Sequence, residues 1–93
     1  MTETFGIAAF RSRQQVLRFE AHLRKRRIAC SVISTPREVA VGCGLSVRFN
    51  MADLQAVIRE YRALQPGNLI GIYSVENMGG ARPKLSPVYI EGR

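Results

Sequence analysis

A chain of 93 residues has room for one core and none for a catalytic domain beside a separate binding domain. Its composition, 46% hydrophobic and 23% charged, is that of a folded globular domain and excludes a disordered or fibrous chain. The formal charge of +7, nearly all arginine, turns attention to where the cations sit.

Residues 4–10 alternate around Phe5, Ile7 and Ala9 and predict a short buried strand. Ser12 followed by Gln15 has capping-box spacing, and Val16, Phe19 and Leu23, with Leu17 at the margin, form the apolar stripe of a first helix. Cations concentrate here: Arg11, Arg13, Arg18, Arg24, Lys25, Arg26 and Arg27 stand against one acid, Glu20. In the last turn they meet the negative end of the helix dipole, which explains part of the run as a solvated face. Docking onto an acidic protein or a polyanion is the other explanation.

Residues 28–34 are rich in β-formers and make a second strand, with Ile28, Cys30 and Val32 on one face. Cys30 then faces the core as a small buried hydrophobe. The chain breaks at Thr35-Pro36, runs through Arg37, Glu38, Val39, Ala40 and Val41, and reaches Gly42-Cys43-Gly44 before alternation resumes in residues 45–49, a third strand. The connection is long for a hairpin. Asn50 with Asp53 marks the start of a second helix, whose stripe is Leu54, Val57, Ile58, Tyr61 and Leu64 and which Pro66-Gly67 stops. Residues 68–75 form a fourth strand, apolar on both faces. Beyond them Gly79-Gly80, Pro83 and Pro87 read as a loose tail, in which Val88, Tyr89 and Ile90 can add an edge strand.

The order βαββαβ predicts an α+β domain over residues 1–76: a ferredoxin-like sandwich with two helices on one face of a four-stranded antiparallel sheet, followed by a C-terminal tail at 77–93. The other face is left bare. Ala8, Phe10, Ile33, Ile70 and Ile72 are expected there, a surface suited to a homodimer. No apolar run approaches the roughly 18 residues of a membrane span, and the opening residues lack the basic and apolar regions of a leader; the expectation is a cytoplasmic protein with no membrane contact.

Two cysteines in such a chain do not make a disulfide scaffold, and with no CxxC pair and the single histidine, His22, in another element, neither a metal nor a cofactor is expected. Cys43 is different. Flanking glycines leave a sulfur open to approach and can turn backbone amides toward an anion. Arg37 in the loop, with Arg11 and Arg13 on either side of Ser12 at the start of the first helix and the positive end of that helix, supplies the positive field that favours thiolate. No histidine or acid stands where a general base would be needed, which points to carrying a group rather than hydrolysing a bond. The same glycines also suit a plain turn with Cys43 as a bystander, and Thr35-Pro36-Arg37-Glu38 also suits a turn alone.

The stretch Thr35-Pro36-Arg37-Glu38, four residues of spacing, then Cys43-Gly44-Leu45 and a strand ending in Arg48-Phe49, resembles the putative selenium/sulfur carrier protein-like family. The resemblance covers residues 5 to about 75, including Phe10 with Ser12 and the basic end of the first helix. It implies a non-catalytic carrier whose loop cysteine, matched by Cys43, holds sulfur or selenium as a persulfide or perselenide, loaded by a protein donor such as a cysteine desulfurase. Ala40 and Val41 depart from the family's small hydroxyl residues, and the tail lies outside the match.

Two other readings compete. A nucleic-acid-binding module would place rings on the central strands, yet the third strand offers Ser46, Arg48 and Asn50 and the first only Phe10, which argues against nucleic acid as a partner. A structural or regulatory subunit would dimerise through its sheet and leave Cys43 incidental.

Overall fold

Six consecutive residues, Phe5 to Phe10, are buried in the first strand of the computed structural model, which describes residues 3–39, 44–77 and 83–90. The strand is β1 (Glu3–Phe10). After it come α1 (Arg13–Lys25), β2 (Cys30–Ser34), a 3-10 turn at Arg37–Val39, β3 (Leu45–Phe49), a second 3-10 turn at Met51–Asp53, α2 (Leu54–Leu64), β4 (Leu69–Asn77) and β5 (Lys84–Tyr89). The strands form one antiparallel sheet in the order β2-β3-β1-β4-β5.

The sheet thus has five strands rather than four. Residues 84–89 pair with β4 from Glu76 opposite Lys84 to Ile72 opposite Tyr89. Pro87, whose missing N–H argues against a strand in sequence, is admissible because β5 is the sheet edge. A register shift between Ile72 and Tyr73 leaves Val88 as an extra residue beside it.

The two faces of the sheet bury different side chains. Against α1 and α2 lie Ala8 and Phe10 of β1, Val47 and Phe49 of β3, and Leu69 and Ile72 of β4, in one cluster with Val16, Phe19 and Leu23 of α1 and Val57 and Tyr61 of α2. Phe5, Ile7 and Val75 form a second cluster on the opposite face, flanked by Ile33, Tyr73 and Leu85. The expected bare face is corrected here: Ala8, Phe10 and Ile72 belong to the helix side, and of the five residues expected only Ile33 is in the opposite cluster. Nor is that face bare. Arg48 lies 3.9 Å above the Phe5 ring and reaches Glu3 at 3.2 Å, while Ile7 and Val75 are 0% and 1% exposed.

Gly6 decides which parity of β1 faces the helices. It stands opposite Phe49, and a Cβ built on it would overlap Cε2 and Cζ of that ring, with Cδ2 at 3.0 Å. The ring is 2% exposed and packed on the main core, so it has nowhere to move. Gly6→Ala is therefore expected to destabilise the fold by about 2–3 kcal/mol, read as a lowered urea midpoint at unchanged slope. An unchanged midpoint would mean that Phe49 has a second rotamer open to it.

The helices are joined by rings and by charge. Phe19 and Tyr61 meet edge to face at 6.1 Å. Glu60 of α2 accepts from His22 Nε2 of α1 at 2.9 Å and from Nε of Arg26, the residue that caps the C-terminal end of α1, at 3.0 Å. The hydrogen bond from His22, and after it that from Arg26, holds the Glu60 carboxyl below its ordinary value. A depressed carboxylate stabilises the fold fully above its unfolded pKa and loses that contribution as pH falls through the folded one. Glu60→Gln should therefore lower the urea midpoint at neutral pH, with a deficit that closes as pH falls through and below the carboxylate range. A deficit independent of pH would assign Glu60 a purely steric role.

Candidate functional site

The connection from β2 to β3 is tied at its base. The Thr35 N–H donates to the Gly44 carbonyl at 2.8 Å, continuing the β2–β3 ladder one step beyond Ser34 opposite Leu45. Thr35 Oγ1 and Ser46 Oγ share a hydrogen bond of 2.7 Å, and Ser46 is fully buried. Pro36 opens the 3-10 turn, its carbonyl accepting from the Val39 N–H at 2.9 Å, and Val39 is 7% exposed. Arg37 on this turn is exposed; of Glu38 only the backbone is described. Gly44 has φ +81° while a Cβ there would meet nothing within 4 Å. Glycine is needed for the left-handed angle and not for space.

Gly42 and Cys43, with Ala40 and Val41, lie outside the described residues. What the structure places is the frame around them. Ala9 of β1 stands opposite Ser46 of β3, which stands opposite Ile33 of β2, so the end of β1, the start of β3 and the end of β2 share one end of the sheet. Helix α1 begins there. Phe10 is opposite Leu69, and the Arg11 N–H donates to the Asn68 carbonyl at 2.7 Å, which anchors the turn into α1. With neighbouring strands about 4.8 Å apart, the start of α1 and the Thr35–Gly44 base lie within a few strand spacings of each other.

Ser12 is the N-cap of α1, its carbonyl accepting from the Gln15 and Val16 N–H groups at 3.1 and 3.2 Å. Its side chain makes no capping bond, so the expected capping box is not formed, and Gln15 Oε1 is buried without a partner among the described residues. Arg11 and Arg13 are exposed. The structure therefore brings Arg11, Ser12, Arg13, Thr35, Pro36, Arg37 and Gly44 to one end of the sheet, their charges in solvent. Ser46 was not among the sequence candidates: as the buried partner of Thr35 it had no local signal, since the two positions are joined by the ladder and not by spacing.

Cys30 lies at the other end of β2, opposite Phe49. It packs against the main core, with Sγ 3.6 Å from the Glu20 carbonyl. Burial, and after it the nearby Glu20 carboxylate, pushes its thiol above the ordinary value. It is the poorer nucleophile that the sequence pattern implies.

No group of three or more His, Cys, Asp and Glu side chains among the described residues could hold a metal ion, and no helix is long and apolar enough to cross a membrane. A model of the family described as putative Se/S carrier protein-like matches residues 5–65, from β1 through the end of α2 and across the whole β2–β3 connection. No curated protein and no solved structure matches the chain.

Proposed function

This chain belongs to the putative Se/S carrier protein-like family, and on that premise we propose that it carries a single sulfur or selenium atom on Cys43, as a persulfide or perselenide. The observation that supports this most is the tie at the loop base. Thr35, the first residue of the Thr-Pro-Arg-Glu motif, is bonded to Gly44, the residue after the cysteine, so the two halves of the motif are one structural unit. We further read β2-β3-β1-β4 with α1 and α2 on one face as a ferredoxin-like layout, extended by β5 at its edge, and the domain as residues 1–76 with 77–93 appended.

The chemistry is a sulfur exchange without net oxidation. The Cys43 thiolate attacks the outer sulfur of a donor persulfide, the donor S–S bond breaks as the Cys43 S–S bond forms, and the electron pair leaves with the donor thiolate. A cysteine desulfurase is a donor of the right kind. Arg37 on the loop and Arg11 and Arg13 at the start of α1 stabilise the anionic form before and after transfer, aided by the first amides of α1 beyond Ser12. Gly42 and Gly44 keep the sulfur open to the donor, while Pro36 and Glu38 shape the turn.

The test is the intact mass of the full chain after incubation with a cysteine desulfurase and cysteine. A gain of one sulfur atom, removed again by a thiol reductant, is expected. A wild-type mass that does not change overturns the reading.

A further inference from the structure

The outward face of α1 has an arrangement that helix stability does not explain. Its first turn contains no acid and opens with Arg13, so positive charge stands at the positive end of the dipole, an arrangement that costs a helix a few tenths of a kcal/mol. Two acids answer the cations of the C-terminal half: Glu20 pairs with Arg24, and Glu60 takes Arg26 and His22. Arg13, Arg18 and Lys25 have no ion-pair partner among the described residues. Between them the centre of the face is apolar. Leu17 is 47% exposed, Ala21 follows one turn later, and a groove of about 240 Å³ beside Ala21 is lined by Arg18, His22, Lys25 and Leu64 of α2. Leu17, Ala21 and the Leu64 side of the groove together make an apolar strip bordered by these unpaired cations.

We propose that this face of α1, with the groove against Leu64, is the docking surface for an acidic amphipathic helix of a second protein. Charge complementarity selects the partner. Arg18 and Lys25 are two turns apart, about 10.5 Å along the axis, which matches carboxylates at the same spacing on a facing helix. A leucine-sized side chain of the partner fills the groove over Ala21 and Leu64, and a second apolar side chain covers Leu17 one turn before Ala21. A nucleic acid matches less well, because a phosphate backbone has no counterpart for Leu17 and the face presents no phenylalanine, tyrosine or tryptophan ring on which a base could stack. The surface does not depend on Cys43 and stands whether or not a chalcogen is carried there.

The probe is a labelled synthetic helical peptide of about 15 residues with glutamates two turns apart flanking a leucine stripe, titrated into the full chain near physiological salt and followed by fluorescence anisotropy. Binding is expected, weakened at least about 10-fold by Arg18→Glu with Lys25→Glu and about 3-fold or more by Leu17→Ser. Arg59→Glu with Lys84→Glu, which changes net charge equally on α2 and β5, should leave affinity within about 3-fold. Cys43→Ser should bind as wild type, which separates this result from the fate of the carrier reading. Absence of binding, equal loss in the two double variants, or a single-stranded RNA of matched charge that binds more tightly through the same residues, overturns the proposal.

Discussion

Cys43→Ser is expected to gain no sulfur under conditions that load the wild-type chain, while Cys30→Ser loads in full. The contrast follows from what surrounds Cys30 and from what flanks Cys43 in the sequence. Cys30 is held against the core with its sulfur at the Glu20 carbonyl, and burial followed by the Glu20 charge moves its thiol away from ionisation. At neutral pH it remains a thiol, and the thiolate is the form that attacks a donor persulfide. Cys43 stands between Gly42 and Gly44 in a connection whose base lies at the same sheet end as the start of α1, where Arg11, Arg13 and Arg37 are unburied. A serine there keeps the size and loses the nucleophile. Intact-mass measurement on both variants distinguishes the sites. Loading that survives Cys43→Ser moves the carrier site to Cys30 or to no specific cysteine, and alkylation rate against pH checks the same point through a lower apparent pKa for Cys43.

Phe19→Ala is expected to remove about 3–5 kcal/mol of stability, a large part of the roughly 5–15 kcal/mol that a domain holds in total. Phe19 is fully buried, with ring centroids 5.6 Å from Phe10 of β1 and 6.1 Å from Tyr61 of α2. Tyr61 continues the series to Tyr89 of β5 at 5.7 Å. One side chain thus joins the first helix to the centre of the sheet and to the second helix, and its truncation leaves a cavity that none of these elements can close alone. Urea unfolding of the full chain measures the loss. A change below about 1 kcal/mol would mean that the sheet and α2 hold together without the ring series. Since Phe10 leads directly into Arg11 and Ser12, the same variant is also expected to slow loading of Cys43 before it unfolds the chain.

The helices were legible because their signal is local. Val16, Phe19 and Leu23 on α1, and Val57 and Tyr61 on α2, are buried at the spacing that the sequence displays. Their ends were less so: the left-handed residue after α2 is Gln65, φ 49°, one position before the Pro66-Gly67 pair expected to stop the helix. For β1 the sequence offered apolar residues on both parities, Phe5, Ile7 and Ala9 against Ala8 and Phe10, and alternation cannot choose between them. The choice rests on Gly6 accommodating the Phe49 ring across the strand pair, a contact between residues far apart in the chain.

Of the candidate site, the Thr-Pro-Arg-Glu and Cys-Gly motifs were visible as residue types, while the bond from Thr35 to Ser46 that seats the first of them was not. By itself the sequence determined the order of elements, the buried stripes of both helices and the isolation of Cys43 between glycines, because each is written in neighbours a few positions apart. Only the tertiary structure decided the fifth strand, the face that β1 turns to the helices and the meeting of the loop base with the start of α1. Each of these depends on strand pairing across long stretches of chain, and pairing energy is a property of two segments that neither carries alone.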